Sequence, residues 1–290
     1  MPGGPHLPFK HWLGYRLRFL VRWVGHGCRA RTVLFWPHRP HHKTLVFKIC
    51  GRLGLRITDD PHRRFDLAFY WQNITWQPDY PQLNLLAERG RLVNRACRDI
   101  SKRRVGETLQ AVFGYELNVD PTVWQGPALE KDDRNASKSD VLVDCPLPQA
   151  RVDHSYQRVI DTETSDGGLE EVRTPVFDHT IPLVYRKRKP LDNRFGAKGV
   201  WISSRICETE EVFTPQEVER IVAFTRKLGL EFGEIDVLRD RADGRIYIVD
   251  ANNTPWGPPF IMSPPDIRRA IERLSVYFKE RYFPDDPLVG

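Results

Sequence analysis

Residues 231–253, "EFGEIDVLRDRADGRIYIVDANN", leave this chain few ways to fold. Two apolar runs flank Asp243-Gly244, a strong hairpin turn signal, so two antiparallel strands are expected. Side chains alternate along a strand, which puts Glu234 and Asp236 on one face of the first and Asp250 and Asn252 on one face of the second. A two-residue turn at Asp243-Gly244 pairs Ala242 with Arg245 and points Asp236 away from Asp250. A three-residue loop, 242–244 with Gly244 left-handed, is the next commonest hairpin. It sets Asp236 opposite Asp250 and Glu234 opposite Asn252, with Ile235 on Ala251 and Val237 on Val249 behind them. Register follows the hydrophobic pattern, and only this register sorts polar from apolar groups. The three-residue loop is therefore expected.

Carboxylates opposite each other on such a ladder have Cβ atoms on the order of 5 Å apart. They repel unless one takes a proton or a cation sits between them. With the neutral oxygen of Asn252 the set is all oxygen, which suits Mg²⁺ held by one or two carboxylates plus nucleotide phosphates. Asp236, Asp250 and Asn252 are thus candidate metal ligands. The second reading is a solvated sheet end, with Asp250 and Asn252 capping the turn into "NTPWGPP".

Upstream, "TPQEVERIVAFTRKLG" carries every mark of a helix. Thr214 is the N-cap, Pro215 stands at the first helical position, Glu217 completes a capping box, and Gly229 stops it. "CRDISKRRVGETLQAVFG" is a helix capped by Asp99 or Ser101 and stopped by Gly114, and "SPPDIRRAIERLSVYFKE" begins the last one. Strands are expected at "PALEK", "DVLVDC" and "YQRVID", and as a pair in "EEVRTPVFDHTIPLVYRKRK" turning at Asp178-His179. Before these, "TVLFW", "LRIT" and "FDLAFYW" surround a helix ending near Gly54. The last of these strands is continuously apolar, as in a parallel sheet covered on both faces. His38, His41 and His42 lie in a proline-bounded loop and read as solvated, with metal binding the lesser alternative.

Charge is unevenly placed. The first 58 residues hold eleven Lys or Arg and no Asp or Glu, whereas the whole chain has 44 basic against 38 acidic side chains. Residues 1–30 form a basic amphipathic arm. Its segment 9–24 suits either a helix packed on its own domain or one lying on an anionic membrane surface. The basic residues concentrate in the arm and track no aromatic platform, which argues against nucleic acid. Five cysteines without CxxC spacing argue for a reducing compartment and against structural zinc. No apolar run nears the ~18 residues of a membrane span, and no signal peptide is evident. A cytoplasmic protein is expected.

The order of these elements resembles the ATP-grasp superfamily, over residues 31–275. Asp236 and the D-x-N of Asp250 and Asn252 match its magnesium-binding carboxylates, although Glu is more usual where Asp250 stands. Lys131, ending a strand before "DDRNASKSD", resembles the phosphate-binding lysine ahead of the mobile loop. That loop lacks the family's glycines, so Asn135 and Ser137 would supply side-chain donors in their place. "YQRVID" resembles the hinge strand. The resemblance implies adenine near Gln157, Val159 and Ile160, with Asp161 on the ribose. Arg173 resembles the arginine facing phosphate or substrate carboxylate, and Lys102 would add a second phosphate contact. No G-x-x-x-x-G-K-[ST] run offers an alternative nucleotide site.

The fold so implied is α/β (α+β). An ATP-grasp domain (residues 94–290, with the C-terminal helix) has two α+β subdomains gripping a nucleotide, and a small open α/β domain (31–93) precedes it. The implied activity uses ATP and Mg²⁺ (or Mn²⁺) to convert a small-molecule carboxylate to an acyl phosphate that an amine captures, with Arg173 and Lys131 in catalytic roles. A kinase of the same architecture and a non-catalytic membrane-associated protein are the alternatives. The basic run Arg186, Lys187, Arg188 and Lys189 reads as a solvated loop or as an attractor for an anionic second substrate.

Overall fold

The apolar run expected as a doubly covered strand is β3 (Leu67–Trp71), with all five residues buried. In the computed structural model, which describes residues 17, 20–21, 23–25, 29–135, 137, 140–193 and 201–289, it belongs to a four-stranded parallel sheet. β1 (Thr32–Pro37) pairs with β2 (Arg56–Thr58) and β3, and β4 (Leu92–Val93) closes the far edge. Helix α1 (Leu45–Leu53) ends at Gly54 in the left-handed conformation, and α2 (Gln82–Arg89) precedes β4. The basic segment 9–24, expected as a helix, lies mostly outside the described residues.

A three-stranded antiparallel sheet follows, in the order β6 (Val141–Cys145), β5 (Gly126–Asp132), β7 (His154–Arg158). The third sheet has five antiparallel strands: β10 (Ser203–Cys207), β9 (Val184–Pro190), β8 (Gly168–Phe177), β11 (Phe232–Arg239) and β12 (Ile246–Asn252). β8 ends at Asp178 and His179, both at positive φ. Helix α3 (Lys102–Phe113) takes its cap from Ser101 and its stop from Gly114. Helix α4 (Pro215–Leu228) carries the expected capping box and ends at left-handed Gly229. A Cβ at Gly229 would stand 2.5 Å from the Ala96 carbonyl carbon, so the chain can turn into β11 there only with glycine.

The two faces of the five-stranded sheet are used differently. Ile235, Val237, Val172 and Ile248 point to a core closed by Val105 and Leu109 of α3 and Phe224 and Leu228 of α4. The opposite face begins with Phe232 and Phe177, whose rings stack 4.9 Å apart. Phe232 also meets Phe69 of β3 edge-on at 5.3 Å, and Phe278 of α5 (Pro264–Tyr282) joins the same cluster. The last helix therefore packs against α1 and the first sheet. Beyond this aromatic end, the same face turns polar.

Four described cysteines, Cys50, Cys97, Cys145 and Cys207, are buried free thiols. No helix among the described residues is long and apolar enough to cross a membrane.

Candidate functional site

The hairpin pairs Asp236 with Asp250, Glu234 with Asn252 and Ile235 with Ala251. It does so by a different route from the expected three-residue loop. Asp240 N donates to Arg245 O at 2.9 Å and Gly244 N to Asp240 O at 2.8 Å, which makes a four-residue loop, 241–244. Such a loop alone would set Asp236 opposite Val249. A β-bulge takes up the difference: Val237 pairs with Ile248, and Val249 is the extra residue. Bulges cluster near functional sites because one added residue re-aims the side chains beyond it.

Arg173 of β8 pairs directly with Asp236, so Arg173, Asp236 and Asp250 form a row across three strands. Its Nε and Nη2 donate to the two Asp236 oxygens at 2.9 and 3.1 Å. Burial acting alone would raise the Asp236 carboxyl. The fork of Arg173, helped by Lys187, instead holds it down at about 2. The Asp236 charge in turn lifts the Arg173 guanidinium well above its ordinary value. Asp250 has no such partner. Burial pushes its carboxyl above the usual range, opposed by Lys102 and Lys131. Its Oδ1 is shut from solvent without a hydrogen bond, and Lys102 Nζ stands 3.9 Å away.

The two lysines arrive there because the end of β5 caps the start of α3. Asp133 O accepts from Lys102 N at 3.2 Å and Asp133 Oδ1 from Arg103 N at 2.7 Å, which satisfies amide donors that a helix start leaves open. Lys102 and Lys131 are both buried. Lys102 Nζ donates to Arg134 O at 3.2 Å, and Lys131 Nζ lies 3.6 Å from Asp140. In β7, Ser155 Oγ and Gln157 Nε2 are buried polar atoms without partners. Ser155 pairs with Lys131 and Gln157 with Leu129 on β5.

Other candidates are already engaged. Asn252 Oδ1 accepts from Thr254 N at 2.9 Å, the turn-capping role, which leaves its second lone pair for a cation. Asp161 accepts from Glu163 N and from Arg241 Nε at 2.8 Å, tying the segment after β7 to the hairpin loop. Ile160 sits in the core, and both Val159 and Ile160 lie just past the end of β7. Asn135 N donates to Thr75 Oγ1. Ser137 is described, but residues 136, 138 and 139 of the same loop are not. His41 Nδ1 accepts from Lys43 N and its ring stacks on Trp256, as in the solvated-loop reading.

Tyr185 and Lys48 escaped the sequence reading, and Lys187 and Glu234 turn out more deeply placed than it implied. The basic run 186–189 is strand, and its alternation splits it. Arg186 and Arg188 pair outward with Glu170 and Asp166. Lys187 is buried on the Arg173 side, ion-paired with Glu171 and 3.7 Å from the Trp201 ring centroid. Tyr185, two residues earlier, is wholly buried with an unpartnered hydroxyl. Lys48 of α1 faces Glu234, and burial lowers its ammonium to about 8. Glu234 is 4% exposed, 3.9 Å from Arg173 Nε, and its Oε1 has no partner.

Burial pushes the Glu234 carboxyl up to about 7 from an ordinary 4.5. The folded protein then binds this proton more tightly than the unfolded chain does. The stability linked to it is complete below about pH 4.5 and is lost as pH rises to about 7. Glu234→Gln is therefore expected to stabilise the unliganded protein by about 2–3 kcal/mol at pH 8 and by nothing near pH 4.5. Urea unfolding at the two pH values checks this, and an equal effect at both would contradict it.

Among the described residues no group of three or more His, Cys, Asp or Glu side chains is placed to hold a metal ion. The donor chemistry of Asp236 and Asp250 nevertheless fits a hard cation completed by phosphate oxygens, and Asp250 Oδ1 is the orphan such a cation would satisfy.

Three solved structures share the arrangement of the chain. The ATP-grasp ligase PsnB complexed with minimal precursor matches with a TM-score of 0.53 at 13% identity, over 87% of this chain and 99% of that one. VanG D-Ala:D-Ser ligase from Enterococcus faecalis gives 0.55 at 10% identity, over 88% and 100%. D-alanine–D-alanine ligase from Bacillus anthracis complexed with ATP gives 0.51 at 12% identity, over 88% and 97%. No protein-family model matches the sequence, and no curated protein does.

Proposed function

From the premise that this chain has the ATP-grasp fold, we propose that it is an ATP- and Mg²⁺-dependent ligase that activates a substrate carboxylate as an acyl phosphate for capture by an amine. The observation that carries this reading is the buried Oδ1 of Asp250, without a hydrogen bond and directly across from Asp236, with buried Lys102 3.9 Å from it and buried Lys131 nearby. When bound, Mg²⁺ would neutralise phosphate oxygens between Asp236 and Asp250. Lys102 and Lys131 hold the phosphate chain, and the free donor of Gln157 and the hydroxyl of Ser155 meet the nucleoside. Arg173 and Lys187, on the same face, stabilise the charge that builds on the transferring phosphoryl group and on the carboxylate that attacks it. The work is positioning and electrostatics, with no covalent step on the protein.

The test has two readings. ATP with Mg²⁺ should raise the melting midpoint, and a pool of small carboxylates with amines should release phosphate together with ADP. ADP formed without phosphate would make the enzyme a kinase for a hydroxyl. No stabilisation by Mg²⁺ and ATP would end the nucleotide reading.

A further inference from the structure

Glu234 lies between the aromatic core and the Asp236 row. Along one face of β11 the side chains run from Phe232, packed on Phe69, through Glu234 to Asp236. Two residues of strand separate Glu234 from Asp236, roughly 7 Å toward the first sheet. A carboxylate so deep is costly unless its oxygens are all satisfied, and Oε1 is not. The neighbouring cations are committed elsewhere. Arg173 directs its Nε and Nη2 at Asp236, and Lys48 Nζ donates to Trp256 O at 2.8 Å. Tyr185 pairs with Arg173 on β8, one row along from Glu234, and its buried hydroxyl also lacks a hydrogen-bond partner, while Arg173 Nε itself lies 3.9 Å from Glu234. Two buried oxygens without hydrogen-bond partners, Glu234 Oε1 and Tyr185 Oη, thus flank Arg173 beside the row where phosphate chemistry is proposed.

We propose that Glu234 and Tyr185 form an ammonium subsite, which takes the nucleophilic substrate as a primary amine through Glu234 Oε1 and Tyr185 Oη. An ammonium group brings three donors and no acceptor, the complement of these two oxygens. Its hydrogen bond to a carboxylate is charge-assisted and roughly twice as strong as that of a neutral hydroxyl. The subsite therefore selects amines over alcohols. Only the later fate of the amine rests on the ligase reading, because binding is measured without nucleotide.

The probes are the common amino acids and amino sugars, each paired with its hydroxyl isostere, and the readout is the thermal midpoint of the nucleotide-free protein. At least one amine should raise the midpoint while its isostere does not. Glu234→Gln should weaken that amine at least tenfold yet keep the shift given by Mg²⁺ and ATP. Tyr185→Phe, which removes only the hydroxyl, should weaken the amine severalfold and serves should the first variant not fold. A panel in which no amine binds, an isostere that binds equally well, or a Glu234→Gln protein that binds the amine as tightly as the parent overturns the proposal. A missing response to Mg²⁺ and ATP would count against the ligase reading alone.

Discussion

Asp250→Asn is expected to melt close to the parent temperature and yet to lose the Mg²⁺-dependent part of its stabilisation by ATP. The substitution keeps the shape of the side chain and removes a charge whose Oδ1 has no hydrogen-bond partner. Because burial already disfavours the ionised form, the fold does not depend on that charge. In the proposed function, a cation shared with Asp236 would depend on it. At a hundredfold excess of ligand over its dissociation constant, binding stabilises a protein by about 2.7 kcal/mol. For a chain of this size that is a midpoint shift of roughly 5–10 °C, of which the variant should retain only what ATP confers without magnesium. Turnover, once a substrate pair is found, should fall by about 10²–10³-fold, the scale seen when a transition-state charge loses its support. An Asp250→Asn protein with a full Mg²⁺-dependent shift would remove Asp250 from the cation site.

Arg173→Met carries the largest expected cost to the fold. Arg173 bridges Asp236 and lies 3.9 Å from Glu234, while Glu171 feels its charge. Without the guanidinium these carboxylates face one another with Lys187 left to balance them. Deleting one partner of a fully buried pair typically costs about 3–5 kcal/mol, and for this part-buried pair a loss of about 2–3 kcal/mol is expected at pH 7. The pH dependence has a definite sign. The Asp236 carboxyl is held at about 2, below its ordinary 3.8, so the stability it contributes is present above about pH 4 and disappears as pH falls toward 2. The gap between parent and variant in urea unfolding should shrink over that same interval. A gap that stays constant from pH 7 to pH 2 would show that Arg173 acts through packing and not through charge.

Much of the architecture was legible because caps and apolar runs are local signals. Thr214 with Glu217, Ser101, Gly54, Gly114 and Gly229 mark helix ends through bonds made within a few residues, and all five marks lie where the chain turns. The opposition of Asp236 and Asp250 was also readable, since only one register separates polar from apolar side chains. The loop length was not, because a four-residue loop with a bulge at Val249 gives the same register beyond the bulge as a three-residue loop without one. Lys187 was misread because both faces of β9 are charged, which hides the alternation of two that "LVYRKRK" still contains. That Asn252 accepts from Thr254 and Asp161 from Arg241 depends on how the chain turns after its strands. The place of Glu234 on the strand was readable, but its meeting with Lys48 was not. Their encounter joins α1 to β11 across 186 positions, and nothing local to either announces it.

The packing of α5 against α1 has a consequence for the making of the protein. β3 is complete at Trp71, but the aromatic side chains that cover its cluster include Phe278 and Tyr282, and Arg31 beside β1 waits for Asp286. At a synthesis rate of about 5–20 residues per second, the first sheet emerges roughly 10–40 s before its cover. During that interval Phe69 and its neighbours are exposed on a growing chain, where they can recruit chaperones or pair wrongly with other chains. The part of the chain made last is thus the part that closes the core begun by the first sheet.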